Sequence, residues 1–292
     1  MALPHAPAAT ASDAISPTAY ATGELWQRLG LSHPALSTAR GRRLDRVFRL
    51  LLGAIERFSG VSMEALMQAR HRGIDAQLSA AIDSGQVSQV IEIAAGLSPR
   101  GWRFASRYGA ALTYVETDLP AMATLKHELC ERAGWLGDHH RVVTLDALAD
   151  SGPASLAAVA ASLDPRRGTA IITEGLVNYF DLPTAQGLWR RIADTLGGFD
   201  HGVYLADIYP QPPQQRLEGL YAGFGRLLGA FVKGRISPHF SSAPHAVESM
   251  MAAGFAEAEV IDPAQLPATR DYARIKGGDR VQILQARSRQ TI

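Results

Sequence analysis

The chain has 292 residues, of which 47% are hydrophobic and 20% charged, with a formal net charge of +1. That balance provides for a large core and excludes the basic block of a nucleic-acid or anionic-membrane binder. Cys130 is the single cysteine, so there is no intramolecular disulfide and a reducing cytoplasm is the expected compartment.

The first sixteen residues, MALPHAPAATASDAIS, are rich in Ala, Pro and Ser and lack a basic start and an apolar stretch. They are expected to be a disordered tail, neither signal nor anchor. Between Gly41 and Phe58, residues Leu44, Val47, Phe48, Leu51, Ile55 and Phe58 recur at three- and four-residue steps, which predicts an amphipathic helix. A second helix is expected from Ser62, a suitable N-cap, to Asp83, with Ser84-Gly85 closing it. Residues 17–85 thus read as a strand-free helical cap, and residues 86–292 as a second unit. The cap is expected to roof the carboxyl edge of the sheet that follows and to shape a substrate pocket there.

From Gln89 onward, short β-branched runs alternate with amphipathic stretches, the signature of a parallel sheet with crossover helices. Strands are expected near 89–94, 112–117, 141–145, 169–173 and 202–207. Two more, 257–261 and 280–286, have no convincing helix between them and suggest an antiparallel pair at a sheet edge. The expected fold is α/β, Rossmann-like: a mostly parallel seven-stranded sheet with an antiparallel C-terminal hairpin.

The segment QVIEIAAGLSPRGW reads as strand, sharp turn and helix start, with Ser98 as N-cap, Pro99 in the first turn and Gly109 at the helix end. The helix N-terminus favours an anion. Gly96 stands without the second and third glycines that let a backbone wrap a pyrophosphate, so a smaller ligand suits the turn better than a dinucleotide. Asp118, 22 positions after Gly96, could accept bonds from both ribose hydroxyls or cap the helix beginning near Pro120; Glu116 on the same strand face competes with it.

Two patterns are decoys. Tyr272 and Lys276 satisfy a Tyr-x-x-x-Lys spacing, but Gly277 and Gly278 end the segment at once. His139-His140 resembles a metal pair, yet adjacent side chains point apart and no third ligand is suitably spaced.

The segments EIAAGLSPRGWRFA, YVETDLPAM, VVTLDAL and ITEGLVNYF, in this order, resemble the leucine carboxyl methyltransferase-like family, which includes bacterial O-methyltransferases of polyketide pathways. The resemblance runs from about Arg70 to Asp207. It implies a class I methyltransferase fold, S-adenosyl-L-methionine as cofactor, and transfer of a methyl group to a carboxylate or hydroxyl oxygen of a small molecule or peptide. It assigns Glu92, Ala94 and Gly96 to the cofactor loop, Asp118 to the ribose, Asp146 with Ala147 to the adenine, and Glu174 to the end of the fourth strand. An arginine before the first strand would contact the methionine carboxylate; Arg70 is preferred over Arg72. Ser98-Pro99-Arg100 departs from the family's usual D-T-R. Candidates for catalysis are Tyr179, His239 as a base, and Arg235 as a partner for an acidic acceptor, with carboxylate methylation slightly favoured. The alternatives are an NAD(P)-dependent oxidoreductase and a non-catalytic ligand-binding module. Neither nucleic acid nor membrane is an expected partner.

Overall fold

A computed structural model of the chain describes residues 17–210 and 238–288; the expected tail and Arg235 lie outside the described residues. Seven strands form one sheet in the order β3-β2-β1-β4-β5-β7-β6: β1 (Gln89–Ile93), β2 (Thr113–Asp118), β3 (His140–Thr144), β4 (Thr169–Thr173), β5 (Gly202–Ile208), β6 (Glu257–Ile261) and β7 (Gln282–Arg287). The first five pair in parallel, and β7 runs antiparallel to both β5 and β6. The β6–β7 hairpin closes the sheet at one edge, as the sequence indicates.

All five residues of β1 are buried, and alternation assigns them to two faces. Ile91 and Ile93 join Val115 and Ile171 in the core beneath helix α7 (Leu182–Leu196). Val90 joins Tyr114, Ile172 and Leu205 in a second core with Ile74 and Leu78 of helix α3 (Met63–Asp83). Each such fully buried aliphatic side chain contributes about 1.5–3 kcal/mol of transfer free energy. Asp181 caps α7 by accepting the Thr184 N–H.

Helix α3 is capped by Ser62 and lies on the sheet itself. Gly73 touches Ile283 so closely that a Cβ there would lie 2.8 Å from it. The division expected at residue 85 therefore does not separate a cap from a sheet, because α3 supplies one face of the sheet's core. What lies outside that layer is α1 (Pro17–Arg28) and α2 (Ala39–Ser59). Glu24 of α1 accepts the Ser37 hydroxyl and the Thr38 N–H at 2.8 Å, fixing the entry to α2. The apolar stripe expected along α2 is only partly used: Leu44 packs on the core, whereas Val47 and Phe58 are exposed.

Helix α1 rests on the turn after β1, with Gly23 against Leu97 and Ala19 beside Gly96. Among the described residues no helix is long and apolar enough to cross a membrane.

Candidate functional site

Open α/β sheets bind ligands at the carboxyl ends of strands where the order reverses, here between β1 and β4. After β1 the chain turns through Ala94 and Gly96, at φ +55° and +51°. Ala94 is the one described non-glycine residue in the left-handed region, a conformation that costs on the order of 1–2 kcal/mol and is concentrated at functional turns. Asp118, at the end of β2, accepts the Gly96 N–H on one oxygen and the Leu119 N–H on the other, each at 2.8 Å. Burial pushes its carboxyl pKa up, and these two N–H groups offset part of that shift.

Glu116, two residues earlier, is removed from contention. It is 1% exposed, paired with Lys126 and with His140 Nε2 at 2.7 Å, and covered by Gly101, where a Cβ would lie 2.3 Å from its carboxyl carbon. His139 points outward while His140 turns in. Past β3, Asp146 accepts the Leu148 N–H at 2.9 Å at an exposed position, and Ala147 packs on the core.

A dense set of charges occupies the β1–β4–β5 side. Glu174, following β4, accepts Arg70 Nε at 2.8 Å on Oε1; Arg100 Nη2 at 2.5 Å and His71 Nδ1 at 2.9 Å meet Oε2. Burial alone would raise its pKa, but His71, Arg100 and Arg70 outweigh burial and hold it well below the usual carboxylate range. Arg100, with no exposed surface, also donates to Asp75 and to Glu92 at 2.6 Å. Arg103 donates to the other oxygen of Asp75 at 2.6 Å. His71 stacks on Trp26 of α1, with ring centres 4.4 Å apart. Asp207, near the end of β5, accepts the Gly175 N–H at 2.7 Å.

Three assignments change in this light. Glu92, placed in the cofactor loop by resemblance, is 1% exposed, with Oε1 taken by Arg100 and Oε2 by the Tyr114 hydroxyl at 2.7 Å; it anchors Arg100 inside the protein. Arg72 faces away from the cleft, bonding Gln68 and lying 5.3 Å over the Tyr272 ring, because residues i and i+2 of a helix do not share a face. Ser98 accepts the Arg100 N–H, but helix α4 (Arg100–Tyr108) begins after Pro99.

Arg70 and Tyr179 approach the same edge. Burial raises the Tyr179 pKa, which Arg70 lowers in part. His239 is buried, bonds the Val177 carbonyl through Nε2 at 3.0 Å and meets Trp189 edge-on. A nitrogen bonded to a carbonyl carries the proton, so Nδ1 is the basic atom of this ring. His239 lines a small cavity together with Asn178 and Asp207.

Residues 35–193 match the family model described as leucine carboxyl methyltransferase. The chain belongs to the leucine carboxyl methyltransferase family. Candidate S-adenosyl-L-methionine-dependent methyltransferases are its relatives: one from Mycobacterium sp. (strain KMS) is 34% identical over 147 residues, covering 50% of this chain and 47% of the relative. Another, from Rhodococcus jostii (strain RHA1), is 33% identical over 175 residues, covering 60% and 55%. The chain thus spans about half the length of the curated relatives it matches. Among solved structures, a candidate methyltransferase from Thermobifida fusca matches 87% of this chain and 92% of its own at a TM-score of 0.60 and 14% identity. A duf574 family protein from Streptomyces avermitilis matches 92% and 97%, also at 0.60 and 14%. At that identity the likeness is one of fold.

Within this leucine carboxyl methyltransferase fold, sequence reasoning passed over Arg100, His71, Asp75 and Asp207. One signal was present for Arg100: a cation at the first residue of a helix opposes the helix dipole, so burial there requires nearby acids.

Proposed function

We propose that the chain is an S-adenosylmethionine-dependent O-methyltransferase that acts on a small-molecule or peptide acceptor in the cytoplasm. The observation that carries this reading is the grip of Asp118 on the Gly96 N–H. A pyrophosphate cradled by that turn would confront a carboxylate already bonded to its one close-approach glycine, which counts against NAD(P). A ribose offers hydroxyl donors to the same carboxylate, and the methionine end offers a carboxylate to Arg70 across the cleft. Family membership and the class of the relatives support the same cofactor.

The sulfonium is an activated donor, so catalysis consists largely of holding acceptor oxygen, methyl carbon and sulfur in line. An acceptor carboxylate, with an ordinary pKa near 4, is ionised at neutral pH, whereas a phenol near 10 gains from a base such as His239 Nδ1. Calorimetric titration with S-adenosylhomocysteine, NAD and NADP tests the cofactor, and binding of a dinucleotide alone would overturn the reading. Transfer of labelled methyl to host extract excludes a non-catalytic module. Mild base then releases methanol from an ester and leaves an aryl ether intact.

A further inference from the structure

The charges on the β1–β4–β5 side do not balance. The arginines are Arg70, Arg100 and Arg103, and the carboxylates are Asp75, Glu92, Glu174 and Asp207. Asp75, Glu92 and Glu174 each pair with a guanidinium at 2.8 Å or less. Asp207 does not: Oδ1 takes the Gly175 N–H, while Oδ2 makes no hydrogen bond of full geometry among the described residues, the Tyr209 hydroxyl being the polar neighbour of the carboxylate, although Asp207 is 5% exposed. The nearest cation is Arg70 Nη1 at 3.8 Å, beyond hydrogen-bond length. A protonated His71 would not remedy this, because its ring nitrogens face Glu174 and Asp75. A buried carboxylate oxygen left this way is costly unless a cation completes it.

The geometry points to an ammonium subsite at Asp207 Oδ2, which receives the α-ammonium of the cofactor's methionine half. This rests on the proposed cofactor and adds a residue to its site. An α-amino acid carries its ammonium and carboxylate oxygens roughly 3 Å apart, and Arg70 Nη1 and Asp207 Oδ2 present the complementary pair of charges at 3.8 Å. Gly175 keeps the approach open: at φ +64° it has no Cβ, and one there would lie 3.1 Å from Arg70 Nη1. Glu174 is less suited to the ammonium, since both its oxygens already hold Arg70, Arg100 and His71. Its role here is to aim Arg70.

The test compares S-adenosylhomocysteine, its analogue lacking the α-amino group, and methylthioadenosine, titrated into the full chain and Asp207→Asn. The Asn side chain keeps an oxygen for the Gly175 N–H and loses the charge. Expected is a preference of about tenfold or more for the amino-bearing ligand in the parent protein, the scale of a hydrogen bond to a charged group. That preference should vanish in Asp207→Asn, with methylthioadenosine binding unchanged. If Asp207→Asn binds none of the three, Asp207→Ser repeats the comparison in a smaller neutral side chain. A preference that survives a neutral residue at 207 overturns the subsite. A parent protein that binds neither S-adenosylhomocysteine nor methylthioadenosine overturns the cofactor reading itself.

Discussion

Two buried ionic clusters flank the first two strands, and they differ in what is left over. Lys126, Glu116 and His140 form a closed set: both carboxylate oxygens are engaged, Lys126 also donates to the Ser98 carbonyl at 2.9 Å, and among the described residues only the His140 Nδ1 of the set is without a partner. The cluster around Arg100 and Glu174 is larger and reaches the strand ends, where it leaves Asp207 Oδ2 without a hydrogen bond of full geometry among the described residues. Buried charge in itself therefore marks neither site. A closed set holds the α5 helix (Pro120–Arg132) to β2, whereas an unfinished one at the cleft has room for a charged guest.

The largest effect should come from breaking each cluster at its cation. Lys126→Met and Arg100→Met both leave buried carboxylates unpaired, and each should cost about 3–5 kcal/mol in urea unfolding. Only Arg100→Met should also weaken S-adenosylhomocysteine binding by the folded protein, because Glu174 and Arg70 lose their alignment. Equal loss of affinity in folded Lys126→Met would erase the distinction between the clusters.

A smaller effect concerns the other side of the cleft. Asp118→Ala should weaken S-adenosylhomocysteine binding to the folded protein by about 1.5–3 kcal/mol, as measured by calorimetry, and lower the melting temperature as the Gly96 and Leu119 N–H groups lose their acceptor. Parent-level affinity would reduce Asp118 to a brace for the Gly96 turn.

Titration separates the two sides further. Glu174, Asp75 and Glu116 have folded pKa values lowered by their cationic partners against the opposing effect of burial. The stability they contribute is present above the ordinary carboxylate range and is lost as pH falls through the lowered values. Asp118 shifts the other way, since burial raises it. A ligand that donates to its ionised form should bind more weakly as pH falls through that raised value, before the fold is lost. Following S-adenosylhomocysteine affinity and circular dichroism together from pH 7 downward checks the order, and Asp118→Ala should lack the first step.

The smallest effect is expected at Arg72. Arg72→Ala removes one cation–π contact and the hydrogen bond to Gln68, each worth about 0.5–1 kcal/mol of stability, and should leave ligand affinity unchanged, whereas Arg70→Ala should lose affinity for S-adenosylhomocysteine but not adenosine.

The sheet was legible because its central strands β1, β4 and β5 are short apolar runs buried on both faces, and six of the seven strands begin and end within one residue of where the pattern places them; β7 starts two residues late, since Gly278–Arg280 form a 3-10 turn. Asp118 was legible as an acid ending a strand at a set distance from a glycine turn. The charge cluster was not, because it joins residues far apart in the chain: Arg70 and Glu174 are separated by 104 positions, Arg100 and Glu174 by 74. Nothing local to Glu92 reveals that its carboxylate turns inward to Arg100, and nothing local to Asp207 reveals that one of its oxygens lacks a hydrogen bond of full geometry among the described residues. The choice between Arg70 and Arg72 needed the orientation of α3, which the sheet alone decides through Ile74 and Leu78.

The contact of Gly23 with Leu97 carries a kinetic consequence. With a missing side chain as the fit, α1 lies flush on the turn that a bound nucleoside would use as its wall. Departure of that guest is then coupled to transient opening of a twelve-residue helix, and occupancy should slow amide hydrogen exchange along α1 by mass action. The residence time of the ligand would thus be set in part by how often α1 lifts its Gly23 off Leu97.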